Sequence, residues 1–227
     1  ISRLRSNERY YGARPDLRVV CRALREAYRY RHTPRPLRCL MADAIDIVVA
    51  GGGMVGSAFA AALADSPLQI HVINAHPPPP WQEHHYDTRV SAINLASESI
   101  LSSVDSWQHV RERRVAPFRE IKVSDQATGQ MLCFDAADSG LAHLGHIVEN
   151  SAITEALRLR LDAAPNVTIS QDDRVQSINY AQGQFLVSTE QHQVITARLL
   201  VGADGATSTI RALSGIAFNR AAYGQSA

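Results

Sequence analysis

Asp46-Ile47-Val48-Val49-Ala50-Gly51-Gly52-Gly53-Met54-Val55-Gly56-Ser57-Ala58-Phe59-Ala60-Ala61-Ala62-Leu63 decides the fold. Its first residues form an apolar run, as a strand buried on both faces requires. A glycine turn follows, then a helix built from small residues. Gly51, Gly53 and Gly56 stand at the G-x-G-x-x-G spacing, and each has a physical task. Gly51 permits the tight turn out of the strand. Gly53, lacking Cβ, lets a pyrophosphate reach the backbone. Gly56 lets the helix lie close to the strand. Gly52 and the first helical residues Met54 and Val55 complete the loop. The unpaired N–H groups and the positive dipole end of the helix face the phosphates. A nucleotide site is therefore expected at residues 51–56.

The bulk properties are compatible with that. The chain has 227 residues, 45% of them hydrophobic, enough for a substantial core. No run approaches the length of a membrane-spanning helix, so contact with a membrane is expected to be peripheral at most. Three cysteines, Cys21, Cys39 and Cys133, form no CxxC pair and point to a reducing compartment rather than a disulfide framework. No cysteine or histidine pair has zinc-ligand spacing, and no metal is expected. His143 and His146 are expected to pack or bond locally. The net charge of +1 hides an imbalance: residues 1–40 carry eleven arginines against three acids, a balance of +8, which leaves −7 for the rest. This segment has no settled apolar face and precedes Met41. It is expected to be disordered or a non-native upstream stretch, with an organellar presequence as the alternative. No motif for reading nucleic acid accompanies its charge, so no nucleic-acid partner is expected.

Outward from the glycine turn, residues 68–74 alternate into a second strand. In the dinucleotide pattern an acid ends this strand and binds a ribose hydroxyl; here Asn74 holds the position, without a carboxylate's charge. Prolines 77–80 stop regular structure. Helices are expected at 95–104 and 107–113, and strands at 118–124 and 130–134 form a hairpin around Ala127-Thr128-Gly129. A further helix follows Asn150, which is expected as its N-cap, with Ile153, Leu157 and Leu161 as the buried stripe. Strands are expected at 166–170, 174–180, 185–189 and 191–196. Arg198-Leu199-Leu200-Val201-Gly202-Ala203-Asp204-Gly205 reads as a further buried strand and glycine turn, with a helix from 206 stopped by Ser214-Gly215. The fold class is α/β: a ββα three-layer, Rossmann-like dinucleotide domain with part of a second, β-rich domain. The domain is expected over 41–216, with the inserted hairpin at about 118–135, and 217–227 as the start of the second domain.

Four segments carry a family resemblance: Gly51-Gly52-Gly53-Met54-Val55-Gly56; Asp87-Thr88-Arg89-Val90-Ser91-Ala92-Ile93; His143-Leu144-Gly145-His146-Ile147-Val148-Glu149-Asn150; and Leu200-Val201-Gly202-Ala203-Asp204-Gly205 with Ser208 and Arg211. In this order they resemble the amino-terminal half of FAD-dependent aromatic hydroxylases of the para-hydroxybenzoate hydroxylase type, and within them the ubiquinone-biosynthesis hydroxylases. The resemblance implies FAD as cofactor and NAD(P)H as co-substrate. It implies O₂ activation through a flavin hydroperoxide and a polyprenyl phenol or quinol as substrate. It places the pyrophosphate on the glycine turn, Asn74 at the ribose, Arg89 against FAD, Asn150 near the ribityl chain and the Val175 backbone at the adenine. Asp204 and Gly205 fall in the motif linked to both FAD and NAD(P)H. Catalytic side chains are not implied, because the cofactor carries the difficult chemistry. The implied location is cytoplasmic, peripheral to the inner membrane, beside other ubiquinone-biosynthesis enzymes.

Family members continue beyond the Asp-Gly motif into a second FAD motif and a substrate sheet. Neither is in these residues, so the chain is expected to be a fragment that binds FAD weakly and does not hydroxylate alone. Two other functions compete: a non-catalytic nucleotide-binding fragment, and an NAD-dependent Rossmann dehydrogenase. The Arg89 segment and the Asp-Gly motif count against the dehydrogenase, which needs neither.

Overall fold

A computed structural model describes residues 45–221. The Arg-rich segment 1–40, with Cys21 and Cys39, lies outside the described residues, as do 222–227.

Strand β1 (Ile45–Ala50) leads through the glycine turn into α1 (Met54–Ala61) and then β2 (Ile70–Asn74). Because successive side chains alternate between faces, Ile47 and Val49 enter one core while Val48 and Ala50 enter another. Buried Asn166 fastens the α1–β2 connection, its amide donating to the carbonyls of Leu63, Ser66 and Leu68. Next come β3 (Val90–Asn94), α2 (Leu95–Ser103) and α3 (Trp107–Arg111). Asn94 caps α2 through a side-chain bond from the Ser97 N–H, 2.9 Å. Strands β4 (Val115–Phe118), β5 (Glu120–Ser124) and β6 (Met131–Asp135) follow, then a 3₁₀ turn (Ala136–Ser139), β7 (Gly145–Glu149) and α4 (Asn150–Asp162). The chain ends in β8 (Val167–Gln171), β9 (Val175–Ala181), β10 (Gln184–Thr189), β11 (Val194–Gly202) and α5 (Thr209–Leu213).

The principal sheet has the order β8-β2-β1-β11-β10-β9. Its first four strands run parallel, while β9–β10–β11 are antiparallel. Helices α1 and α4 cover one face around Ile47, Val49, Ile70, Val72, Ile153, Leu157 and Leu161, so the predicted stripe of α4 is its buried face. On the other face Val48, Ala50 and Ile73 meet Val175, Val187, Ile195 and Ile210. A second sheet, β3-β7-β4, is antiparallel, and β5–β6 form a separate two-stranded hairpin. The architecture is Rossmann-like α/β, as expected.

Four local expectations change. The strand expected at 118–124 is divided: Phe118 ends β4 against β7, and β5 starts at Glu120 against β6. Residues 191–196 and 198–202 are not two strands: from Val194 to Gly202 the chain is one strand, held by β10 early and by β1 later. Asn150 does not cap α4 but is its first residue; Glu149 holds the cap position without a side-chain cap bond. The last helix starts at Thr209 rather than 206, because residues 205–208 turn around the Asp204 carboxylate.

Candidate functional site

The carboxyl ends of β1, β2 and β11 open into one cleft of about 510 Å³. It lies where the chain leaves β1 towards β2 on one side while β11 flanks β1 on the other, the reversal of strand order at which open α/β sheets bind ligands. Gly51, Gly52, Gly53, Asn74, Arg89, Val175, Asp204 and Gly205 line it. Eight of the sequence-derived site residues therefore share one cavity. Met54, Val55, Gly56 and Asn150 are not among its lining residues.

The glycines divide the work as their surroundings dictate. Gly51 has φ +112°, and a Cβ there would lie 2.3 Å from the Ala203 carbonyl oxygen. At Gly56 a Cβ would lie 1.9 Å from the Gly51 oxygen, so this residue sets the approach of helix to turn. A Cβ on Gly52 would strike the Asn74 side chain. On Gly53 it would meet nothing within 4 Å, leaving the backbone approachable. Gly53 is also the N-cap of α1 and supplies no capping side chain, and the first turn holds no acid. The first N–H groups of α1 are thus not occupied by a cap, and the dipole favours an anion. This cradle fits a pyrophosphate.

Asn74 is buried, and its amide donates to Gln171 Oε1 at 2.8 Å. It lines the cleft and also ties β2 to β8. The Asp204 carboxylate accepts from the N–H groups of Thr209 (2.6 Å) and Ile210 (3.1 Å) and from the Ser208 hydroxyl. Three acceptor positions are thereby spent on starting α5. Gly205, at φ +85°, completes the turn. Asp173, Arg174, His76, Thr207 and Thr209 also line the cleft and were not anticipated. Arg174 and His76 bond at 2.9 Å across it. Asp173 Oδ1 accepts from the N–H groups of Arg174 and Gln191, while its Oδ2 is buried without a hydrogen-bond partner. The pair Asp173-Arg174 directly ahead of the β9 run was the available signal: charge at the carboxyl side of a strand pair seldom serves the core alone.

Arg89 reaches the cleft on a loop anchored elsewhere. Glu149, buried at the end of β7, accepts from the Trp81 indole (2.9 Å), the Asp87 N–H (2.7 Å) and two nitrogens of Arg114 (3.0 Å each). Arg114 also donates to the carbonyls of Gln82, Glu83 and His85. The exposed side chains of Glu83, His84 and His85 thus sit on a backbone that is tied down. Asp87 accepts from the N–H groups of Arg89 and Ser151, and the Asn150 N–H donates to the Arg89 carbonyl at 2.9 Å. Asn150 Oδ1 accepts from the Ser91 hydroxyl at 2.6 Å, one strand position beyond Val90. Burial pushes the Glu149 carboxyl up, but Arg114, the Asp87 N–H and the Trp81 indole outweigh it and hold the group below its ordinary range.

A Rossmann-like sheet with an anion cradle at its switch point defines a dinucleotide-binding protein. The chain belongs to the FAD-binding domain family, which its residues 44–224 match. It is 35% identical over 182 residues to 3-demethoxyubiquinol 3-hydroxylase of Escherichia coli (strain K12), covering 80% of this chain and 46% of that protein. It is 34% identical over 188 residues to the mitochondrial ubiquinone biosynthesis monooxygenase COQ6 of Rattus norvegicus, covering 75% and 39% respectively. The chain thus spans less than half the length of these relatives. The crystal structure of p-nitrophenol 4-monooxygenase PnpA from Pseudomonas putida DLL-E4 shares the fold, with a TM-score of 0.63 at 19% identity over 79% of this chain and 45% of that one. Among the described residues no helix is long and apolar enough to cross a membrane.

Proposed function

We propose that the cleft holds the adenosine and pyrophosphate parts of FAD, and that the protein is an FAD-dependent monooxygenase acting on the ring of a polyprenyl phenol or quinol in ubiquinone biosynthesis. The observation that supports this most directly is the meeting, in one cleft, of the open Gly53 backbone, Asn74, Arg89 and the Asp204–Gly205 turn. None of these is adjacent in sequence to the others. Bound there, FAD would supply the redox and oxygen-transfer chemistry, with NAD(P)H as reductant and O₂ as oxidant.

The chain's own residues bind and orient. The Gly51–Gly53 turn and the start of α1 take the pyrophosphate. Asn74 faces the ribose, with hydrogen bonding weaker than a carboxylate's. The Val175 backbone meets the adenine. Arg89 reaches the cofactor, and Asn150 holds the Arg89 strand towards the ribityl chain. Asp204 shapes the turn that presents Gly205. A substrate with a polyprenyl tail places the working protein against a membrane surface.

Gly53→Asp tests the reading. An added side chain there meets nothing in the protein, so folding should survive, while its charge opposes the pyrophosphate. Titrating the chain with FAD by fluorescence quenching should show binding that drops at least tenfold in the variant, with an unchanged circular dichroism spectrum. Equal FAD affinity in the two proteins, or preference for NADH over FAD, would overturn the assignment.

A further inference from the structure

We propose that Glu98, His143 and His146 form a binding site for a divalent transition-metal ion, zinc above all, separate from the cofactor cleft. The three residues come from three places: Glu98 from the first turn of α2, His143 from the loop before β7, His146 from β7 itself. Folding brings one ligand atom from each within 4.8 Å of the others. The side chains are sheltered, at 14% exposure for Glu98 and His146 and 28% for His143. Sequence spacing could not show this site, because its carboxylate lies far from its histidines and reaches them only through the pairing of β3 with β7.

One observation favours an ion over a simple ion pair. His146 Nδ1 hydrogen-bonds Glu98 Oε1, a bond that an ion shared by the two would replace. His143 Nε2 remains buried and without a hydrogen-bond partner, 3.6 Å from that same oxygen. A buried orphan nitrogen is costly. The distance is too long for a hydrogen bond, yet two donors held about 2.1 Å from one tetrahedral ion stand about 3.4 Å apart. The imidazole rings lie edge to face with centroids 4.5 Å apart, and Trp107 tilts against His146 at 5.5 Å, walling one side. Two imidazole nitrogens and one carboxylate oxygen make a borderline donor set that suits zinc and leaves a fourth position open. Such an ion would tie the loop 140–144 to α2. The site lies at the start of β7, three residues or about 10 Å from Glu149 at the other end.

The test is metal binding by the whole chain after chelator treatment. Titration with Co²⁺ should give the intense visible bands of a tetrahedral ion at one equivalent, displaced by Zn²⁺, and Zn²⁺ should raise the melting temperature. His143→Ala should weaken binding at least tenfold. This variant removes an orphan group from a loop and so leaves the fold in place. Glu98→Gln should weaken binding to a similar extent. Cys133→Ser, at the exposed thiol, should change nothing, nor should any of these variants change FAD affinity. Absence of tetrahedral Co²⁺ bands, or bands that persist in His143→Ala and Glu98→Gln, would overturn the proposal.

Discussion

The sheet that carries the glycine turn and the hairpin β5–β6 are made of similar residues and meet opposite fates. β1 reads Ile-Asp-Ile-Val-Val-Ala, and its last four residues are buried. β5 and β6 read Glu-Ile-Lys-Val-Ser and Met-Leu-Cys-Phe-Asp, and all but Asp135 are exposed. Alternation alone does not bury a strand; each face needs a partner. β1 has helices on one face and the β9–β10 side chains on the other. Among the described residues the hairpin pairs only with itself, leaving Ile121, Val123, Met131, Leu132 and Phe134 facing outward. A two-stranded hairpin alone is marginal; Ile121, Val123, Leu132 and Phe134 share one of its faces, and Met131 lies on the other. The sheet therefore holds the cleft lined by the glycine turn, and the hairpin carries apolar side chains that no described residue covers.

Glycine replacements sharpen that contrast most. Gly56→Ala puts a methyl group 1.9 Å from the Gly51 backbone oxygen, beside the glycine turn. Neither helix nor turn can yield without opening the cradle, so a cost of about 3 kcal/mol or more is expected, with loss of FAD binding. Gly129→Ala, at φ +68° in the hairpin turn with nothing within 4 Å, should cost about 1 kcal/mol, the price of a left-handed alanine, and leave FAD binding alone. Urea denaturation of both variants measures the difference. Equal costs would mean that the two regions are not packed differently.

The same contrast explains what the sequence made legible. The glycine turn, the α4 stripe and the hairpin turn are local patterns, fixed by backbone sterics or by periodicity. Of the eight cleft residues, Gly51, Gly52, Gly53 and Asn74 follow from the dinucleotide pattern itself, and Arg89, Val175, Asp204 and Gly205 from the family resemblance. His76 could not be named, because it meets Arg174 only through β2 pairing with β8 over nearly a hundred residues, and Asp173-Arg174 offered no more than a charge pair ahead of β9. The residue type of Asn150 suggests a cap, whereas the extended backbone at Glu149 sets where α4 begins. Residues 191–196 and 198–205 read as two strands because no local pattern shows one strand changing partner from β10 to β1. In the fold that strand runs through, and Arg198 pairs with Asp46 of β1 at 3.1 Å. Likewise Glu149 looked like part of a motif and turned out to be the anchor of the Arg89 loop.

That anchor gives the next expected effect. Glu149→Gln removes the charge that satisfies Arg114 in a buried position, and about 2 kcal/mol of stability should go with it. FAD binding should weaken too, because the loop carrying Arg89 loosens. The sign of the pH dependence follows from the net lowering of the Glu149 carboxyl below its ordinary 4.5. A group whose folded value is depressed adds stability that is fully present above the unfolded value and is lost as pH falls through the folded one. Wild-type stability should therefore fall as pH drops below about 4.5, and more steeply than that of Glu149→Gln. Asp87 is lowered as well, chiefly by the Arg89 N–H, and steepens both curves in the same sense. Parallel acid profiles by thermal denaturation would show that the clamp contributes nothing.

The smallest effect on stability is expected at the hairpin itself. Met131 is 66% exposed and Phe134 49%. Met131→Gln and Phe134→Ser remove apolar surface that water already reaches, so each should shift stability by no more than about 0.5 kcal/mol. Leu157→Ala, in the fully buried stripe of α4, provides the contrasting scale at about 2–5 kcal/mol. The double hairpin variant should instead change how the chain behaves with its neighbours. Sedimentation velocity at rising concentration should show less self-association than in the wild type, because an exposed apolar hairpin associates to hide its surface. If the double variant melts like Leu157→Ala, the hairpin is packed as tightly as the sheet and the contrast between the two fails. If stability holds while association falls, the apolar residues of β5 and β6 contribute little to this core and need cover from residues other than those described.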